Sequence, residues 1–132
     1  MNPKQFLTVG GVVLVVLAVV GFLGVLTPTT TPVFWLDTGE NVAHLVLGVV
    51  ALAAVFVPGL NSALAPFYKP LVVVVGVVAL FFGLYGFVVA GAPAPNTFGL
   101  ANLENPLDNL LHLLVGVWAL YAALVGPRTA AA

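Results

Sequence analysis

Four long stretches of this chain carry almost no charge. Phe6 to Leu26, Asn41 to Val57, Pro70 to Ala90 and Leu107 to Val125 hold a single Asp, Glu, Lys or Arg between them, Asp108. Each is close to the roughly 20 apolar residues that carry a helix across a bilayer core. A soluble four-helix domain would need charged side chains at helical spacing on its outward faces. Here 62% of the 132 residues are hydrophobic and 5% are charged, where an ordinary soluble domain is about a quarter charged. The solvent for those faces is therefore lipid.

Valine-rich segments such as Val12 to Val20 and Leu71 to Val78 would suit strands in a soluble protein. In lipid an open sheet edge leaves backbone groups without partners, so helices are expected. The second run reaches spanning length only if its helix begins at Thr38. The expected fold class is all-α: a four-helix transmembrane bundle forming one integral membrane domain over residues 1–132. The first run is longer than a signal-peptide core and no small-x-small cleavage pattern follows it, so it is expected to stay as a membrane anchor.

The few charges set an orientation. Lys4, Lys69 and Arg128 fall on one side of the spans, and Asp37, Glu40, Glu104 and Asp108 on the other. The basic side is expected to be cytoplasmic, which puts the N and C termini inside a prokaryotic cytoplasmic (inner) membrane that the chain crosses as a multi-pass protein. A net charge of −1 gives no footing for nucleic acid, and with no cysteine there are no disulfides, thiolate nucleophiles, cysteine-ligated zinc sites or iron–sulfur clusters.

An internal repeat organises the chain. A shift of 68 residues lays Asn41 on Asn109, His44 on His112, Leu45 on Leu113, Gly48 on Gly116 and Leu52 on Leu120, with Glu40 on Asp108. The only two histidines coincide. In the preceding spans Gly21 and Gly24 are matched to Gly83 and Gly86, at an offset of 62. Repeat one is then about residues 1–58 and repeat two about 66–127. Two spans per unit make the copies parallel, related by a pseudo-twofold axis along the membrane normal.

Local signals mark the helix ends. Asp37 and Asn105 are N-cap residues with Glu40 and Asp108 three positions later, the spacing of a capping box, and Pro106 suits a first helical position. That structural role is sufficient for the acidic residues. Pro58-Gly59 and Pro66 bracket a short connection where the second span cannot continue. Trp35, Trp118, Tyr68, Tyr85 and Tyr121 read as belt or packing aromatics. Val33 to Leu36 and Phe98 to Leu100 are too apolar for solvated loops and are expected against the end of the bundle.

Asn41, His44 and Gly48 are spaced by three and four residues and share one helical face, as do Asn109, His112 and Gly116. Each imidazole lies seven residues past its cap, roughly 10 Å along the axis, below the headgroups. Two readings stay open. In one, each histidine hydrogen-bonds across the bundle, to Asn41, Asn109 or a backbone carbonyl, while the glycines let helices approach. In the other, His44 and His112, with Asn41, Asn109, Gly48 and Gly116 around them, ligate a b-type haem or a (bacterio)chlorophyll, and Gly21, Gly24, Gly83 and Gly86 clear space for it. Two histidines make a poor metal site unless Glu40 or Asp108 joins them, and no metal site is assigned.

The pattern Asn-x-x-His-Leu-x-x-Gly, once at Asn41 to Gly48 and again at Asn109 to Gly116, resembles the four-span membrane family catalogued as domain of unknown function 4383. The resemblance covers nearly the whole chain and extends to Gly21, Gly24, Gly83 and Gly86. It implies that His44 and His112 are hallmark positions and implies no activity.

With no nucleophile and no recognisable substrate pocket, the chain is not expected to be an enzyme. The expected function is an accessory or scaffolding subunit of a larger membrane complex, with the lipid bilayer and other integral membrane proteins as partners. The alternative is the histidine-ligated cofactor protein. A pH sensor and a small transporter rank lower, the latter because the first and third spans contain neither a charge nor a broken helix.

Overall fold

The computed structural model describes residues 1–31 and 34–127. The structure is all-helical: α1 (Pro3–Phe22), α2 (Thr38–Phe56), a short α3 (Pro58–Leu64) that passes through a 3₁₀ turn (Ala65–Phe67), α4 (Tyr68–Val88) and α5 (Leu107–Leu124). Four helical segments, α1, α2, the α3–α4 segment and α5, are long and apolar enough to cross a membrane. The valine-rich segments lie inside α1 and α4. Only 22–33% of each span's most apolar window is buried inside the protein, so most of the helical surface faces outward, as lipid requires.

Capping chemistry starts the first two spans. Asn2 accepts the Gln5 N–H at 2.9 Å, and the Gln5 side chain accepts the Asn2 N–H at 3.0 Å. Asp37 and Glu40 form the box expected for α2, which begins at Thr38. The fourth span differs. α5 starts at Leu107 behind Pro106, with no side-chain cap. The Asn105 side chain instead accepts from the Asn109 amide at 3.2 Å, and the Asp108 N–H goes to the Glu104 carbonyl at 3.1 Å. Asp108 is thereby free of capping.

Two helical hairpins result, with α1 against α2 and α4 against α5; α1 also touches both helices of the second hairpin. Glycines set the close approaches. A Cβ on Gly11 would press on Leu52 and the Gly48 carbonyl, and one on Gly48 on Val15 and the Gly11 carbonyl. The second hairpin makes the same contacts: Gly76 meets Leu120 and the Gly116 carbonyl, and Gly116 meets Leu80. Farther along, Gly21 lies under the Asn41 amide and Gly86 under the Asn109 amide. Gly11 and Gly76, Val15 and Leu80, Gly21 and Gly86 are each 65 residues apart. That register replaces the offset of 62 expected from the Gly-x-x-Gly pairs. Gly24 lies past the end of α1 with φ +69° and packs on no partner helix; its role is the turn.

The two ends of the bundle differ in chemistry. At the lysine end, near Lys4 and Lys69, the core comprises Phe6, Leu7, Ala54, Val55, Tyr68, Val72, Ala119, Ala122 and Ala123. Trp118 packs edge-on against Phe6 with centroids 4.7 Å apart. Tyr68 is no belt residue: it is 2% exposed, and its hydroxyl donates to the Ala54 carbonyl at 2.6 Å. That carbonyl would ordinarily take the N–H four residues on, but residue 58 is proline and has none. Arg128 lies outside the described residues.

At the carboxyl end, the long connection from α4 to α5 folds back over the bundle. Thr97 pairs with Ala101 around a tight turn in which Phe98 and Gly99 have φ 52° and 72°. The Phe98 ring stacks on Tyr85 at 5.2 Å and 10°, so the apolar loop does lie against the helix end, although Leu100 beside it remains exposed. The Asn102 N–H donates to the free oxygen of Asp37 at 2.6 Å, tying this connection to the start of α2. In the other connection Leu36 is buried, while Val33 lies outside the described residues.

Candidate functional site

Asp37 lies at the mouth of a polar cluster built by both hairpins. α2 contributes Glu40, Asn41 and His44; the second connection contributes Asn102 and Glu104; α5 contributes Asp108, Asn109 and His112. Glu40, Glu104, Asp108, Asn41 and Asn109 are all buried, Asn109 completely. Carboxylate oxygens of Glu40, Glu104 and Asp108 lie within 4.8 Å of one another.

Each of these carboxyl groups has one oxygen engaged. Glu40 accepts the Asp37 N–H at 2.9 Å in the capping box. Glu104 Oε1 accepts from the Asn102 amide at 2.6 Å. Asp108 Oδ1 lies 3.2 Å from His112 Nδ1. The second oxygens of Glu104 and Asp108 are buried and have no hydrogen-bond partner among the described residues. Two like charges 4–5 Å apart repel by about 3–4 kcal/mol at an effective dielectric constant of 20, so three carboxylates here cannot all ionise without a counter-charge. The lysines do not provide it, since both stand at the opposite end of the bundle. Burial pushes the Glu104 carboxyl up to about 7, and Asp108 and Asp37 push it the same way.

His112 Nδ1 lies 2.9 Å from the Asp108 carbonyl oxygen, one turn back on α5. A carbonyl can only accept, so Nδ1 carries a proton. His44 Nδ1 is buried with no partner. The structure thus brings both histidines and the carboxyl cluster to one end of the bundle. Among the described residues neither histidine makes the expected bond across the bundle; His112 instead pairs with a backbone carbonyl of its own helix.

The asparagines and glycines singled out by the sequence pattern are packing residues. The Asn41 and Asn109 amides occupy the space over Gly21 and Gly86, Gly83 is filled by Leu113, and Gly48 and Gly116 receive Val15 and Leu80. The room that a haem or (bacterio)chlorophyll ring would need beside these glycines is taken by the chain's own side chains, so the residues present do not fit a macrocycle there.

Glu104 is the member of the cluster that the repeat did not select, since the shift that lays Glu40 on Asp108 lays Leu36 on Glu104. The signal that could have found it is electrostatic: all four acidic residues fall on one side of the spans, away from every lysine and arginine. An open depression lined by Ala94, Asn96, Asn102, Glu104 and Asn105, among others, reaches Glu104 from outside the bundle.

No protein-family model matches this chain, and comparison with curated proteins and with solved structures gives no match.

Proposed function

We propose that this chain is an accessory or scaffolding subunit of a larger assembly in a prokaryotic cytoplasmic membrane. It is built from two tandem copies of one hairpin related by a pseudo-twofold axis, with both ends of the chain on the cytoplasmic side. The observation that carries the reading is the outward surface: Val12, Val16 and Val19 on α1, Val46 and Val50 on α2, Val74 and Val77 on α4, and Leu114 and Val117 on α5 are exposed. These smooth faces present no chemistry and suit contact with lipid and other membrane helices. Polar groups gather at the carboxyl end, while Phe6, Leu7, Tyr68, Val72 and Ala122 pack together at the other. A transport path would need polar lining through that sealed half. The two-copy reading is supported by the matched pairs Gly11–Gly48 and Gly76–Gly116, and Gly21–Asn41 and Gly86–Asn109.

Solubilisation of native membranes in mild detergent is expected to recover this chain with other integral membrane proteins. Quantitative recovery as a lone stable monomer or homo-oligomer would remove the subunit reading. Orientation has its own test, because a chain without cysteine accepts single reporters cleanly. Gly59 and Gly91 stand in open space. Gly91→Cys is expected to react with a membrane-impermeant maleimide in intact cells, and Gly59→Cys only after permeabilisation; the reverse pattern inverts the topology.

A further inference from the structure

We propose that Glu40, Glu104 and Asp108 form a binding site for a divalent cation of the hard, oxygen-preferring class, of which Ca²⁺ and Mn²⁺ are the probes. Three observations lead to it. First, the three carboxyl groups come from α2, the second connection and α5, and present oxygens within 4.8 Å of one another. Two ligands on opposite sides of a Ca²⁺ ion, at about 2.3–2.6 Å each, span a similar distance. Second, Glu104 Oε2 and Asp108 Oδ2 have no hydrogen-bond partner among the described residues, although the two residues are only 8% and 4% exposed. Burying a carboxylate oxygen with no donor is costly, and a cation satisfies both oxygens at once. Third, Lys4 and Lys69 lie at the far end of the bundle; the nearest cationic group among the described residues is His112, 3.2 Å from Asp108 Oδ1, and one imidazolium does not balance three carboxylates.

The neighbours of the cluster define the cation. Asn41 and Asn109 turn their amide oxygens onto Gly21 and Gly86, and the nitrogens of His44 and His112 are not part of the convergent set. An all-carboxylate donor set favours Ca²⁺ or Mn²⁺, whereas Zn²⁺ prefers nitrogen and sulfur ligands. Three carboxylates supply three to six oxygens of a six- to eight-coordinate shell, and water entering by the depression beside Asn96 and Asn105 completes it. Because Glu40 belongs to the first hairpin and Glu104 and Asp108 to the second, the cation would join the two. The site goes beyond the subunit reading and stands or falls independently of it.

The test uses the full chain in detergent micelles, stripped with a chelator and titrated with MnCl₂ while the electron paramagnetic resonance signal of free Mn²⁺ is followed. One equivalent is expected to bind per chain and to be displaced by CaCl₂. Glu40→Gln, Glu104→Gln and Asp108→Asn, each confirmed as helical by circular dichroism, are expected to weaken Mn²⁺ binding tenfold or more. Glu104 lies in a connection rather than a helix, so its variant separates lost binding from lost folding. His44→Ala is expected to leave Mn²⁺ affinity within twofold. An unchanged free-Mn²⁺ signal with folded protein would overturn the proposal, as would binding that survives replacement of all three carboxyl groups. Binding of ZnCl₂ that depends on the histidines and not on the carboxyl groups would also overturn it.

Discussion

Replacing Tyr68 by Phe removes one oxygen atom from the best-buried corner of the lysine end, and its cost can be reasoned from the backbone. The Ala54 carbonyl has lost its normal helical donor to Pro58, and the Tyr68 hydroxyl at 2.6 Å stands in for it. The Asn61 side-chain amide lies 2.8 Å from the same hydroxyl; turned end for end it donates its NH₂ to the phenolic oxygen, so one proton and one lone pair are both used. An ordinary interhelical hydrogen bond in a membrane protein contributes about 0.6 kcal/mol, because the freed group usually finds another partner. Ala54 has no substitute donor on its own helix, and Tyr68 is 2% exposed. The loss should approach the cost of a buried unsatisfied carbonyl, about 1–3 kcal/mol, and we expect Tyr68→Phe to fall in the lower half of that interval. Reversible unfolding in mixed micelles, read by fluorescence of Trp35 and Trp118, gives the difference. Tyr121→Phe is the control, since Tyr121 is 54% exposed. If Tyr68→Phe stays within about 0.5 kcal/mol of the parent, the level of a surface substitution, the account of the proline-orphaned carbonyl is wrong.

Other sites give sharper local contrasts. Gly86→Ala places a methyl group where the Asn109 amide lies, and overpacking of this kind costs about 1–3 kcal/mol; Gly91→Ala, in open space, should be neutral in the same unfolding assay. Asp37→Ala removes the α2 cap and also the acceptor of the Asn102 N–H, so it should cost at least the ~1 kcal/mol of an ordinary cap and increase amide hydrogen exchange at residues 100–104 as well as at the start of α2. The Glu104 carboxyl, raised from 4.5 to about 7, binds its proton more tightly in the folded than in the unfolded chain. Stability in the presence of chelator should therefore be highest below pH 4.5 with respect to this group and decline as pH rises to about 7, with Glu104→Gln flattening that limb of the profile. A limb of opposite slope, lost in the same variant, would refute the burial argument.

What the sequence made legible is what local physics dictates. The spans follow from uninterrupted apolar length, and the start of α2 from the Asp37–Glu40 pair, because each signal is complete within a few neighbouring residues. The start of α5 departs from its local signal. Asn105 has a cap's chemistry, but Asn109 one turn later competes for its side-chain oxygen, and spacing alone cannot rank the two partners. The glycine register of α1 and α4 is hidden in the sequence because an offset of 62 aligns two glycines in this region and an offset of 65 only one, with Gly24 falling on Val89; the contacts of Asn41 over Gly21 and Asn109 over Gly86 favour the second setting. The carboxyl cluster needed the fold. Glu104 reaches Glu40 because Asn102 anchors the second connection to Asp37, 65 residues back along the chain.

The division of helix contacts also bears on how such a chain is made. α1 finds its main neighbour in α2 and α4 in α5, so each pair can settle as soon as its own two segments have left the translocon, before the rest of the protein exists. Biogenesis then becomes two local insertions followed by one late docking. Cutting the polypeptide within α3 and co-expressing the halves should still yield an assembled protein, with the split merely converting the last step from first to second order.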